Sequence, residues 1–295
     1  MLIDPEQNVL LSGQEKLQTE NVILVVIDGP RFSETWGDHT RQYIPNLGKY
    51  LAPQGVIYTN FYNEGPTLTI PGHAAITTGQ YHNLNNSGSE YPQAPSIFQV
   101  FLNQTKKQPE KVCLLTSKSK LTVLSDCTAP NWRGKYIPHF DVKDRNDQET
   151  FQEAIEILDV AAPDLMLIHF KGPDDFGHQG LWNEYLQSIR ETDHYVRLLW
   201  DHLQQNPRYR DKTALLMTND HGRHADGVDT GFVSHGDRCE GCRHIIFFAI
   251  GPDFRKGLII DTKREQIDIA PTIARLLGFS MPGSEGAVMT ELFDH

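Results

Sequence analysis

The chain has 295 residues, 39% hydrophobic and 22% charged, with a formal net charge of −11. That size holds one large domain or two modest ones, and the composition excludes wholesale disorder. The acidic balance argues against binding duplex nucleic acid, which wants a basic stripe, but not against a small anion, because a local cluster of cations can reverse the field inside a cleft.

In chain order, the opening stretch MLIDPEQNVLLSGQEK lacks the basic-then-apolar layout of a signal peptide. As it stands the chain is expected in the cytoplasm, and in the periplasm or outside the cell if a leader has been removed. No later stretch approaches the roughly 20 apolar residues of a membrane helix. NVILVVI (21–27) reads as a buried strand, IPNLGKYLA (44–52) as a helix with Pro45 near its first turn, and GVIYTNFY (55–62) as a weaker strand. A loop then leads to a short helix, PGHAAITT (71–78), and APSIFQVFLNQ (94–104) has apolar residues at helical spacing. The strand KVCLLT (111–116) precedes the segment 118–147, the best candidate for a small cap or substrate loop. Its Trp132 and Tyr136 could stack on a base or an aryl leaving group. Helix TFQEAIEILDVA (150–161), strand DLMLIHF (164–170), the long helix 180–205, strands TALLMT (213–218) and HIIFFAI (244–250), and helix IDIAPTIARLLG (267–278) complete the pattern. Nearly continuous apolar strands alternating with amphipathic helices predict an α/β fold. The expected architecture is a doubly wound, mostly parallel central sheet with helices on both faces, in a single domain spanning 1–295.

Three strands run into polar residues. NVILVVI meets Asp28, DLMLIHF meets Lys171 and the Asp174–Asp175 pair, and TALLMT meets Asn219, Asp220 and His221. In a parallel sheet these ends share one edge, where doubly wound proteins bind ligands. Crowded carboxylates repel, and a bound cation removes the conflict. His178 follows Asp174 by four residues, His221 adjoins Asp220, and FVSHGD adds His235. Histidine, aspartate and an oxygen nucleophile suit zinc or a similar ion. His224 and His244 flank this region as supporting or surface residues.

Thr69 stands at the start of the short helix, either as an ordinary N-cap or as a nucleophile. A helix start attracts anions, and a threonine hydroxyl becomes a useful nucleophile when a cation lowers its pKa. Cys239 and Cys242 form a C-x-x-C that alone is a half-site for zinc, a redox pair or a small disulfide loop. No second C-x-x-C completes a zinc site.

Taken in order, VILVVIDG, PTLTIPGH, GPDDFGH, TNDHG, SHGD and FFAIGPDF resemble the alkaline phosphatase superfamily, within it the type I phosphodiesterase/nucleotide pyrophosphatase branch. The resemblance implies a two-metal hydrolase acting on a small-molecule phosphate ester, usually with zinc, manganese being the other candidate. It implies that Asp28, Thr69, Asp220 and His221 hold one ion and that Asp174, His178 and His235 hold the other. Thr69 would attack phosphorus and form a phosphothreonine. The Cys-x-Pro-x-Arg nucleophile segment of sulfatases is absent; Thr69-Ile70-Pro71-Gly72-His73 stands there. The branch commonly carries Thr-Phe-Pro-Asn-His, and it places a phosphoryl-binding asparagine about twenty residues after the nucleophile. Asn85 and Asn86 fall slightly short of that spacing; Lys171 and Arg31 are further candidate phosphate contacts. A phosphotransferase or phosphomutase on the same scaffold, or a catalytically silent metal-containing binding protein, are the alternatives.

Overall fold

The computed structural model describes residues 17–294, so the signal-peptide expectation lies outside the described residues. Nine strands form one sheet: β1 Asn21–Ile27, β2 Val56–Tyr62, β3 Val112–Thr116, β4 His139–Val142, β5 Leu165–Phe170, β6 Thr213–Asn219, β7 His244–Ile250, β8 Leu258–Ile260 and β9 Arg264–Glu265. Their order is β4-β3-β5-β1-β6-β7-β2-β8, with β9 also on β2. All pairings are parallel except those of β7, which runs antiparallel to both β6 and β2. The fold is the expected α/β, mostly parallel arrangement.

The two-residue period of the strands divides their side chains between the faces. Val22, Leu24 and Val26 of β1 join one core cluster; Ile23, Val25 and Ile27 join the other. The first cluster packs under α1 (Thr69–Thr78), α2 (Ile97–Thr105) and the helix Ile269–Leu276. The second packs under α3 (Asp147–Val160) and the 24-residue α5 (Trp182–Gln205). Between them α4 (Gly172–His178) follows β5 directly. None of the described helices is long and apolar enough to cross a membrane.

Some boundaries move for identifiable reasons. Helix α3 begins three residues before the expected Thr150, because Asn146 and Glu149 form a capping box. The expected helix 44–52 is a π turn, Asn46–Leu51, followed by a 3-10 turn, Ala52–Gln54. Its first N–H groups are taken by the buried Asp193 carboxylate of α5: Asn46 N–H donates at 2.9 Å and Leu47 N–H at 2.7 Å. Segment 118–147 contributes a 3-10 run, Ser119–Ser125, and then the edge strand β4. Trp132 is half-buried against the first core cluster and meets Tyr136 edge-on, ring centres 5.6 Å apart.

Candidate active site

Register builds the site. β5, β1 and β6 are neighbours, and Ile27 pairs with both Phe170 and Asn219. Asp28 and Asp220 are therefore each one residue beyond matched strand ends. Continued at period two, Asp28, His169 and Asp220 follow Val26, Leu167 and Leu216 onto the face covered by α1. Asp28, His169, Asp220, His221, Thr69 and Asp174 are all buried.

Helix α1 meets this edge at its N-terminus. Leu68, not Thr69, is the N-cap, and no side chain caps the helix. Thr69 is the first helical residue, and its hydroxyl has no hydrogen-bond partner among the described residues. The next N–H, that of Ile70, donates to Asn86 Oδ1 at 3.0 Å. At the other end Gly79 adopts the left-handed conformation (φ 70°) and closes the helix. Gly72 allows the contact with β6: a Cβ there would come within 2.7 Å of the Asp220 carbonyl oxygen. Gly72→Ala is expected to destabilise the fold by about 1–3 kcal/mol through overpacking against a backbone that cannot yield, measured by urea unfolding.

Two groups of donors result. Asp28, Asp220 and His221 place one ligand atom each within 4.8 Å of one another, and so do Asp174, His221 and His235. His178 lies one helical turn beyond Asp174 on α4, its Nε2 3.3 Å from Asp174 Oδ1 and 3.0 Å from His235 Nε2. His235 Nε2 is 3.4 Å from the same carboxylate oxygen.

The donor chemistry fits divalent ions. Among the described residues, Asp28 Oδ1, Thr69 Oγ1, Asp220 Oδ2 and His221 Nε2 are buried without a hydrogen-bond partner, a costly state unless a cation takes them. His221 Nδ1 is 2.9 Å from the Gly222 carbonyl, His178 Nδ1 is 3.1 Å from that of Val233, and His235 Nδ1 is 2.8 Å from that of Thr67. A carbonyl only accepts, so each Nδ1 carries the proton and each Nε2 presents a lone pair. Two such lone pairs facing each other at 3.0 Å, as in His178 and His235, repel without a cation. Burial pushes His221 down to about 4 and lowers His178 as well, which keeps both imidazoles neutral near pH 7.

Four residues of the site carry no expectation from the sequence. Lys118 Nζ lies 2.7 Å from Asp28 Oδ2 and 2.5 Å from Asp174 Oδ2. Burial pushes both carboxyls up, and Asp174 adds to this at Asp28, but the Lys118 ammonium outweighs these effects, helped at Asp28 by the hydrogen bond from His169 and at Asp174 by the Arg223 guanidinium. Both carboxyls are held well below the usual range. His169 Nε2 is 3.0 Å from Asp28 Oδ2, and its Nδ1 is 3.1 Å from Ser117 Oγ. His73 Nδ1 is 2.8 Å from the Thr69 carbonyl and 3.3 Å from Asp220 Oδ2. Arg223, fully buried, pairs with Asp174 and donates to the carbonyls of Phe232 and Val233.

Replacing Lys118 by methionine strips a cation from two buried carboxylates. The metal-free protein is expected to lose about 3–5 kcal/mol. The zinc-loaded protein should lose clearly less, because the ions then neutralise the same groups; unfolding of both forms measures the difference.

The expected substrate contacts part company. Asn86 is half-buried beside the first turn of α1. Asn85 is exposed and accepts from Ser87 N–H and Oγ in a local turn. Lys171 pairs with Asp175 at 2.9 Å. Arg31 is buried and committed to Glu34 and Asp226, at 2.7 and 2.8 Å. Of the flanking histidines, His244 stacks between Phe32 and Tyr62.

A family model described as Sulfatase matches residues 20–279. The chain belongs to the sulfatase family. This sulfatase-family chain has the alkaline phosphatase-like fold. Phosphonate monoester hydrolase SpPMH from Silicibacter pomeroyi superposes with a TM-score of 0.64 at 16% identity, over 92% of this chain and 76% of that one. Murine ectonucleotide pyrophosphatase/phosphodiesterase 5 gives 0.67 at 16% identity, over 93% of this chain and 100% of that one. Among curated proteins, GPI ethanolamine phosphate transferase 2 of Yarrowia lipolytica is 21% identical over 95% of this chain and 34% of its own length. The chain thus spans about a third of the length of the curated relatives it matches. Family and fold place it in the alkaline phosphatase superfamily.

Proposed function

We propose that the chain is a metal-dependent phosphoric ester hydrolase that uses Thr69 as its nucleophile. The observation that carries this reading is the set of four buried, unpartnered atoms on Asp28, Thr69, Asp220 and His221, one of them a hydroxyl at a helix start. Two divalent ions, zinc or manganese, held by Asp28, Thr69, Asp220 and His221 and by Asp174, His178 and His235, would supply Lewis-acid activation of the hydroxyl and charge neutralisation at the phosphoryl group. The start of α1, the positive end of its dipole, favours an anion there. Asn86 fixes the start of that helix, and Lys118 lies between Asp28 of one set and Asp174 of the other. Thr69 Oγ1 loses its proton to solvent and bonds to phosphorus as the bond to the leaving oxygen breaks, giving a phosphothreonine; the leaving oxygen takes a proton from solvent. Water then attacks phosphorus, the bond to Thr69 Oγ1 breaks, and the hydroxyl regains its proton. His169 and His73 are positioning residues that orient Asp28 and Asp220.

A second reading has its own support: the curated relatives are named ethanolamine phosphate transferases. On the same scaffold an alcohol, rather than water, would resolve the phosphothreonine. Rates with an aryl phosphomonoester and an aryl phosphodiester on zinc-loaded protein, with products analysed with and without an added alcohol, separate these readings. Release of phosphate or monoester into water supports hydrolysis. Dominant capture by the alcohol supports transfer. No turnover of phosphate or sulfate esters by metal-replete protein removes both and leaves a silent binding protein.

A further inference from the structure

Cys239 and Cys242 are not used by the site described above, yet they do not stand alone. Cys239 caps a single helical turn, Glu240–Arg243, and both thiols are free. The structure brings two more donors to them from the preceding loop. His224, Asp237, Cys239 and Cys242 each offer one ligand atom, all within 4.8 Å of one another. The C-x-x-C half-site is therefore completed by a histidine and a carboxylate rather than by a second C-x-x-C.

The histidine is set up as a ligand. His224 is buried, and among the described residues its Nε2 has no hydrogen-bond partner; Asp237 Oδ2 lies 3.3 Å from it. Its Nδ1 faces Ser234 Oγ at 3.0 Å and Asp229 Oδ2 at 3.4 Å, partners that hold a proton on Nδ1 and leave the lone pair on Nε2. Asp237 uses Oδ1 to accept from Cys239 N–H at 2.9 Å, which leaves Oδ2 facing the histidine. The backbone is shaped to bring these segments together. Gly222 N–H donates to the Cys242 carbonyl at 2.8 Å. A Cβ on Gly222 would come within 2.1 Å of the Gly241 carbonyl oxygen, and one on Gly241 within 2.5 Å of that of Arg223. Side chains at either glycine would separate the histidine from the thiols.

We propose that His224, Asp237, Cys239 and Cys242 form a structural metal site that takes zinc, distinct from the ester-cleaving centre. Four protein donors of sulfur, nitrogen and oxygen type around one ion, with bonds of about 2.0–2.3 Å, are a closed tetrahedral zinc set. Two thiolates favour zinc over magnesium, calcium or manganese. With all four positions filled by protein, the ion has no open position for substrate. Its role is mechanical. His224 and Asp237 bracket the loop that contains His235 and whose Phe232 and Val233 carbonyls hold Arg223 against Asp174. A metal clip across the base of that loop fixes those groups relative to β7, which begins at His244.

Cobalt reports on this site without reference to activity, because only thiolate ligands give an intense sulfur-to-cobalt charge-transfer band in the near ultraviolet. The ester-cleaving centre has oxygen and nitrogen donors alone, and Cys113 and Cys127 are buried elsewhere. The full chain, reduced, stripped of metal and reloaded with cobalt, is expected to show the band. The band should be lost in C239S/C242S and retained in Thr69→Ala. In the wild-type chain, zinc should at least tenfold slow the reaction of Cys239 with a thiol reagent. The proposal is overturned if the wild-type cobalt protein lacks the band, if zinc leaves thiol reactivity unchanged, or if protein purified without air carries a Cys239–Cys242 disulfide. The wild-type measurements decide even if the double variant does not fold.

Discussion

Thr69→Ala is expected to lower turnover of an aryl phosphate ester by on the order of 10³-fold or more, while the bound metal falls little. The hydroxyl is buried, begins α1 and makes no hydrogen bond, so its removal disturbs neither a cap nor a packing contact of consequence. Had Thr69 been an ordinary N-cap, alanine would instead cost about 1 kcal/mol of stability and leave activity intact. Leu68 occupies the N-cap position, which argues against the capping outcome. Thr69→Ser keeps the oxygen and should recover most of the lost rate. Metal analysis beside the rate measurement distinguishes a lost nucleophile from a lost ion. Full activity in the alanine variant would remove the covalent role.

Removal of metal is expected to have the second-largest effect. A chelator should take turnover to background, and zinc or manganese should restore it. Stability should fall too, by about 4 kcal/mol for each ion lost, relative to protein held at a thousandfold excess of metal over its dissociation constant. The apo protein is nevertheless expected to fold, because other cations neutralise part of the site. Lys118 bridges Asp28 and Asp174, and Arg223 adds a second cation at Asp174. Among the described residues Asp220 Oδ2 has no hydrogen bond, and the rings of His73 and His221 lie 3.3 and 3.4 Å from it. Asp220→Asn should therefore be tolerated by the metal-free protein while weakening metal binding. Calorimetric unfolding with and without zinc tests both statements.

What the sequence disclosed, and what it hid, follows from the range of the interactions. β1 and β7 match their predicted spans, since a strand buried on both faces is a continuous apolar run. Strands β4, β8 and β9 are short and mostly exposed or half-buried, so they leave no such run. Asp28, Asp174 and Asp220 were legible as acids at strand ends, because three parallel strands share an edge. The same rule applied to cations would have found Lys118, two residues past the end of β3. His169 was concealed within an apolar strand, although the parity of Leu167 puts it on the face of α1. Arg223 had no local signal at all: its partner Asp174 is 49 residues away. The choice between Asn85 and Asn86 depended on one residue in a turn, which spacing does not resolve.

The central claim is that two cations sit between Asp28, Thr69, Asp220 and His221 on one side and Asp174, His178 and His235 on the other. Diffraction from crystals grown with zinc, recorded on both sides of the zinc absorption edge, tests it most directly. The account predicts two anomalous peaks in this pocket, each about 2.0–2.2 Å from the nitrogen and oxygen atoms of its set, with Thr69 Oγ1 bound to the first. A zinc-saturated crystal with no peak among these residues, or with His178 and His235 turned away from Asp174, would contradict it.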